Sequence, residues 1–213
     1  LSGNIWIKPS QIDKKGLFLF GIRHKSLNKR AFGIFKSGKW GVSQGRPMYP
    51  DKYAAKNPER AAFIMASSGQ SVSYAEFEMR ANRMAHLLCA EGLGQRDHFS
   101  IMMENNDRYL EACAAGERTG LYYTCINSYL TADELAYILD NSESQILITS
   151  MLKLGVAIDA VAQSNKVRKV LVVDADANKL PDGFEDYATA CQSFPATPID
   201  NERLGTSMLY SSG

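Results

Sequence analysis

Apolar positions along the chain alternate between the two-residue period of strands and the 3.6-residue period of helices, beginning near residue 61. Ala61 to Met65 is a short apolar run, Ser67-Ser68-Gly69-Gln70 is a turn, and Ser71 to Tyr74 is a second extended piece, which together predict a hairpin. Phe77, Ala81, Met84 and Leu88 then recur at i, i+4, i+7 and i+11, one stripe of a helix that Gly92 or Gly94 ends. Ser73-Tyr74-Ala75-Glu76 fits a capping box at its start, with Val72 and Phe77 as the hydrophobic staple. Phe99 to Met103 reads as a strand, and Asn106 is placed to cap a helix that runs through Arg118. Inside that helix Gly116 costs about 1 kcal/mol relative to alanine, so it marks the close approach of another element.

The same alternation continues. Leu121 to Ile126 is a strand, and Thr131-Ala132-Asp133-Glu134 repeats the capping box before a helix whose apolar face is Leu135, Ile138 and Leu139. Strand Gln145 to Thr149, a helix from Leu152 to Gln163 and strand Arg168 to Val173 follow. After a loop with Pro181 and Gly183 come a short helix from Phe184 to Cys191, a linker with Pro195 and Pro198, and a final strand, read as buried, from Thr206 to Tyr210. Strands alternating with helices predict an α/β layer architecture: a mostly parallel sheet with flanking helices.

Composition adds bounds to this pattern. At 213 residues and 45% hydrophobic content the chain is long enough for a full core. No apolar run reaches the roughly 18 residues of a membrane span. Cys89, Cys113, Cys125 and Cys191 show no paired spacing, so reduced core thiols in a cytoplasmic protein are expected.

Charge divides the chain more sharply than any linker. Residues 1–47 hold ten lysines and arginines against one aspartate, leaving 14 basic and 22 acidic residues for 48–213. A lysine-rich segment of this kind suits a polyanion-binding arm, and an acidic-poor one suits a transit peptide. It has no sustained period and no methionine, and Met48 is the first methionine of the chain. The expectation is therefore a basic leader over 1–47, read through from upstream sequence, ahead of a domain that starts at Met48.

Five groups are candidates for chemistry. Ser211-Ser212-Gly213 follows the final strand with the residue types of a phosphate-gripping loop: small side chains that let backbone N–H groups approach an oxyanion, hydroxyl donors, and a glycine free to adopt unusual φ/ψ. An ordinary turn has the same composition. Asp174, Asp176, Asn178 and Glu185 match the liganding spacing of an EF-hand loop, but Lys179 stands where glycine is needed and Pro181 lies inside, so a solvated acidic loop is expected. His86 and Cys89 are three apart on a helix without further ligands, and are read as an exposed histidine and a core thiol. Tyr122 and Tyr123 are read as core packing, and Lys166, Arg168 and Lys169 as a solvated basic rim.

Leu209-Tyr210-Ser211-Ser212-Gly213 resembles the opening of the phosphate loop of the adenylate-forming enzymes, which include acyl-CoA synthetases, luciferases and peptide-synthetase adenylation domains. Ser71-Val72-Ser73-Tyr74-Ala75-Glu76-Phe77 with Asn82-Arg83-Met84-Ala85, and the run from Gly120 through Leu135 with Ile146-Leu147-Ile148-Thr149, are similar to the fatty-acyl-CoA ligases of that family. The resemblance covers 48–213 and implies the N-terminal part of the family's large α/β domain, cut inside the phosphate loop. It implies ATP-dependent activation of a carboxylic, fatty-type acid to an acyl-adenylate, then transfer to coenzyme A. ATP, Mg2+ and coenzyme A are the implied cofactors and co-substrates, and a small-molecule acid rather than nucleic acid the implied partner. Ser211, Ser212 and Gly213 are the first ATP-binding donors, no catalytic or metal-binding residue is expected among these 213, and the segment alone is expected to be inactive. The rivals are an amino-acid or aryl-acid adenylating enzyme, and a non-catalytic α/β module with a basic nucleic-acid arm.

Overall fold

The structure is a computed structural model that describes residues 49–176 and 179–210. The basic segment 1–47, Met48, Asn178 of the acidic loop, and Ser211, Ser212 and Gly213 lie outside the described residues.

Helix α1 (Asp51–Lys56) leads into an antiparallel hairpin of β1 (Ala61–Ile64) and β2 (Ser71–Ser73), as the two short runs and the Gly69 turn predict. From there strands and helices alternate: α2 (Tyr74–Ala90), β3 (His98–Met102), α3 (Tyr109–Thr119), β4 (Tyr122–Cys125), α4 (Ala132–Asn141) and β5 (Ser144–Ser150). A 3-10 turn over Met151–Lys153, α5 (Leu154–Val161), β6 (Lys169–Val173), β7 (Phe184–Asp186), α6 (Tyr187–Gln192) and β8 (Thr206–Met208) complete the described chain. Among the described residues, six strands form one sheet in the order β7-β6-β5-β3-β4-β8, and every neighbouring pair is parallel.

Burial on both faces explains the near-continuous apolar content of the central strands. Phe99, Ile101, Ile146, Ile148, Leu171 and Val173 pack under α2, α3 and α6, whose Met84, Leu88, Ala112, Ala115 and Cys191 belong to the same core. Met102, Leu147, Val170 and Val172 point the other way, against Leu135, Leu139, Ala157 and Ala160 of α4 and α5. Ser100 also lies on a central strand. Its hydroxyl is 2.6 Å from that of Ser144, which in turn is 2.7 Å from that of Ser142, so three buried hydroxyls satisfy one another.

Local signals were uneven in reliability. The capping box of α4 forms in full: Thr131 Oγ1 accepts the Glu134 amide, and Glu134 accepts the Thr131 amide. At α2 only half of it forms, because Ser73 Oγ accepts the Glu76 amide while the Glu76 carboxylate turns to Arg80. Close approach at Gly116 is present, since a Cβ there would stand 2.7 Å from the Tyr123 ring and 3.0 Å from that of Phe99. Tyr123 is buried, as expected of core packing.

Several expectations are corrected. Asn106 does not cap α3, which begins at Tyr109; its side chain accepts the Arg108 amide and donates to Asp174, closing a turn instead. Phe184–Asp186 is a strand added beside β6, and only Tyr187–Gln192 is helical. Cys89 is exposed rather than in the core, and His86 is half-buried with Nε2 3.0 Å from the Thr197 carbonyl oxygen. Lys166 and Arg168 are exposed as a solvated rim requires, with Lys169 half-buried, and each is paired: Lys166 with Glu143, Arg168 with Glu91, and Lys169 with both Glu91 and Glu185. The last strand is not buried, because β8 pairs with β4 on one side only, and Thr206 and Ser207 are exposed.

Candidate functional site

In an open parallel sheet, ligands bind beyond the carboxyl ends of the strands, where neighbouring connections run off in opposite directions. Here the chain leaves β3 through α3 toward β4, and leaves β5 through α5 toward β6, so that point lies between β3 and β5. Glu104 follows β3 and Ser150 ends β5; the Ser150 hydroxyl donates to Glu104 Oε2 at 2.5 Å. Beside them Thr149 Oγ1 donates to the Met102 carbonyl at 2.8 Å, and Asn106 Nδ2 donates to Asp174 Oδ2 at 2.9 Å, tying the loop after β3 to the end of β6. These contacts make a polar floor that is closed on itself.

β8 runs parallel to β4, with Tyr122 opposite Thr206, Tyr123 opposite Ser207 and Thr124 opposite Met208, and so exits toward that same carboxyl edge. Its entry is fixed by the C-terminal turn of α3. Arg203 N–H donates to the Arg118 carbonyl at 2.9 Å, Gly205 N–H to that of Glu117 at 2.8 Å, and Thr206 N–H to that of Leu121 at 2.9 Å. The Arg118 side chain, fully buried, adds a second tie. Its guanidinium reaches Glu78 of α2 at 2.7 Å and Glu202 at 3.4 Å, and lies 4.5 Å from the ring centroid of Tyr49. The Tyr49 hydroxyl donates to Glu202 at 2.9 Å, and burial together with that carboxylate pushes its pKa up to about 12. Sequence reasoning missed this cluster, because Arg118, Glu78, Glu202 and Tyr49 share no spacing. The faint signal was an arginine at a position where the helical period of α3 calls for an apolar residue.

The residues singled out as the phosphate loop, Ser211, Ser212 and Gly213, lie outside the described residues; the described chain ends at Tyr210, whose hydroxyl donates to Asn141 Oδ1 at 2.7 Å. Large apolar side chains stand free near the carboxyl ends of β4, β5 and β8: Tyr129 is 89% exposed, Leu152 79% and Leu209 81%. Lys153 lies 5.2 Å from the Tyr129 ring centroid. The acidic-loop residues have protein partners: Asp174 with Asn106, Asp176 with Lys179, and Glu185 with Lys169. Among the described residues no three His, Cys, Asp or Glu side chains group together, and the Glu104 carboxylate accepts the Ser150 hydroxyl.

A separate cavity of about 230 Å³ opens between α2, α3 and α6, lined by Arg80, Arg83, Arg108, Glu111, Tyr187 and Cys191. Burial lifts the Glu111 carboxyl to about 7, against the pull of Arg108 at 3.4 Å and Arg80 at 3.8 Å. The Tyr187 hydroxyl lies near this carboxyl but outside hydrogen-bond geometry.

Residues 50–213 match the pattern of the AMP-binding enzyme family. The chain belongs to that family. As an AMP-binding family member it is 31% identical over 161 residues to a 3-oxocholest-4-en-26-oate–CoA ligase of Rhodococcus rhodochrous, an alignment covering 73% of this chain and 28% of that protein. It is 28% identical over 136 residues to a linear gramicidin synthase of Brevibacillus parabrevis, covering 64% of this chain and 2% of the other. In fold it is similar to a fatty acyl CoA synthetase of Mycobacterium tuberculosis, with a TM-score of 0.65 and 23% identity over 77% of this chain and 32% of that one. The chain thus spans less than a third of the length of each of these three relatives. Among the described residues no helix is long and apolar enough to cross a membrane.

Proposed function

We propose that the whole protein activates a carboxylic acid of the fatty type with ATP and passes the acyl group to coenzyme A. A carboxylate cannot readily expel oxide. Joining its oxygen to AMP makes that oxygen a good leaving group, and a thiol can then displace the adenylate. Pyrophosphate departs in the first step, and donors already in place lower the cost of its developing charge.

The observation that carries this reading is the course of β8. Parallel to β4 and pinned at its entry by Arg118, Glu117 and Leu121, it leads toward the carboxyl edge of the sheet. Ser211, Ser212 and Gly213 come next in the chain and supply the first phosphate donors in this reading, with Mg2+ held by residues outside this chain. Membership of the AMP-binding family and the relative named a CoA ligase support it. The segment 48–213 alone is inactive in this reading, and 1–47 is a leader that takes no part.

The similarity to a gramicidin synthase favours a second reading, an amino-acid or aryl-acid adenylating enzyme. Both are tested on the full-length protein by carboxylate-dependent exchange of labelled pyrophosphate into ATP, followed by an assay for the CoA thioester. Exchange and thioester with fatty acids are expected. Exchange with amino or aryl acids and no thioester selects the second reading, and no exchange with any acid overturns both.

A further inference from the structure

Four cysteines are present, and the structure gives each a different setting. Cys191 is buried, with its thiol directed at Met84 Sδ at 3.7 Å. Cys89 is exposed on α2. Cys113 on α3 and Cys125 at the end of β4 meet, both half-buried, with their sulfurs 3.9 Å apart. They are twelve residues apart in sequence and on different elements, so the fold alone makes the pair.

We infer that Cys113 and Cys125 form an oxidisable dithiol site that closes to an intramolecular disulfide with a peroxide as oxidant. A disulfide requires its sulfurs to come within about 2.05 Å, and in the reduced pair they already stand 3.9 Å apart. The two thiols are not equivalent. The Cys113 thiol 3.9 Å away, foremost, and the nearby Tyr109 hydroxyl lower the Cys125 pKa against the effect of burial. Cys113 moves the other way, raised by its bond to Cys125, by burial and by Glu117, and so keeps its proton. Tyr109 and Glu117 of α3 and Tyr123 of β4 are the titratable groups that face the pair.

This asymmetry assigns the steps. The Cys125 thiolate attacks one peroxide oxygen, the S–O bond forms as the O–O bond breaks, and hydroxide leaves to be protonated to water. Cys113 sulfur then attacks Cys125 sulfur; the S–S bond forms, the S–O bond breaks, and a second water leaves with the Cys113 proton. Two thiols lose two electrons in all, and one hydrogen peroxide becomes two waters.

The site is tested on the full chain with dilute hydrogen peroxide, alkylation in denaturant and non-reducing peptide mapping. A peptide linking Cys113 to Cys125 is expected, with Cys89 and Cys191 still alkylated. Before oxidation, native alkylation at pH 7.5 should be roughly tenfold faster at Cys125 than at Cys89 despite the greater exposure of Cys89, since the thiolate is the reactive form and burial raises the Cys89 pKa. Cys113→Ser should abolish the link and leave a sulfenic acid on Cys125 that dimedone traps. Links that involve Cys89, links between chains, or two unoxidised thiols at 113 and 125 would each overturn the inference. The wild-type map and alkylation rates decide it even where a serine variant fails to fold.

Discussion

Gly205 and Gly116 are packed backbone against backbone: a Cβ on Gly205 would stand 2.0 Å from the Gly116 carbonyl oxygen and 2.6 Å from that of Leu121. The start of β8 lies in a groove floored by α3, and only a residue without a side chain fits there. Both partners at this contact are main chain, which cannot rotate aside. Gly205→Ala should therefore cost at least about 3 kcal/mol, the upper range for overpacking, measured by urea denaturation. Gly116→Ala meets the rims of Tyr123 and Phe99, which can give, and regains about 1 kcal/mol of helix propensity, so it should cost less. Equal costs for the two would contradict this account.

Arg118 holds the same entry from beneath. Arg118→Met leaves Glu78 and Glu202 partly buried without their cation, and a loss of about 3–5 kcal/mol is expected in equilibrium unfolding. Arg118→Lys restores the charge but not the planar fork that spans both carboxylates and covers the Tyr49 ring, so its stability should fall between the two. Full rescue by lysine would show that charge alone matters.

Glu111 gives stability a pH dependence of definite sign. Its carboxyl is raised from 4.5 to about 7 by burial, so between those values the folded chain binds a proton that the unfolded chain has released. The contribution is fully present below pH 4.5 and is lost as pH rises through about 7, on the order of 3 kcal/mol at most. Glu111→Gln should flatten the curve of unfolding free energy against pH over that window. An unchanged slope would place the titration elsewhere.

Ser73 caps α2 with its hydroxyl on the Glu76 amide at 3.2 Å, without a reciprocal bond from Glu76. Ser73→Ala should cost about 1 kcal/mol, and Glu76→Gln, whose carboxylate serves Arg80 rather than the cap, should leave the cap intact. Amide exchange in the first turn of α2 distinguishes them: faster in the serine variant, unchanged in the glutamine variant.

Much of the fold was legible because its signals are local. The stripe of Ala81, Met84 and Leu88, the capping box at Thr131 and the alternating faces of Ile146, Leu147 and Ile148 each follow from the geometry of one element. Two misses are local, the turn that Asn106 closes and the half-formed box at Ser73, and the others are non-local. Phe184–Asp186 becomes a strand because β6 offers it an edge, β8 is exposed because it has one neighbour, and Cys89 faces outward because the layer under α2 is taken by Met84 and Leu88.

The candidate site divides in the same way. Ser211, Ser212 and Gly213 were proposed from their residue types together with the resemblance to the family, and nothing in their spacing named Arg118, Glu202 and Gly205 as the residues that fix the strand before them. The sequence by itself determined the order of the elements and, Phe184–Asp186 apart, their kind, since hydrophobic period and cap chemistry are written within each segment, while its motifs carried the resemblance to the family. Only the tertiary structure decided which strands became edges, which charges were buried, and that Cys113 meets Cys125. Those outcomes depend on which surfaces meet when the layers close, and residues far apart in the chain carry no local mark of meeting.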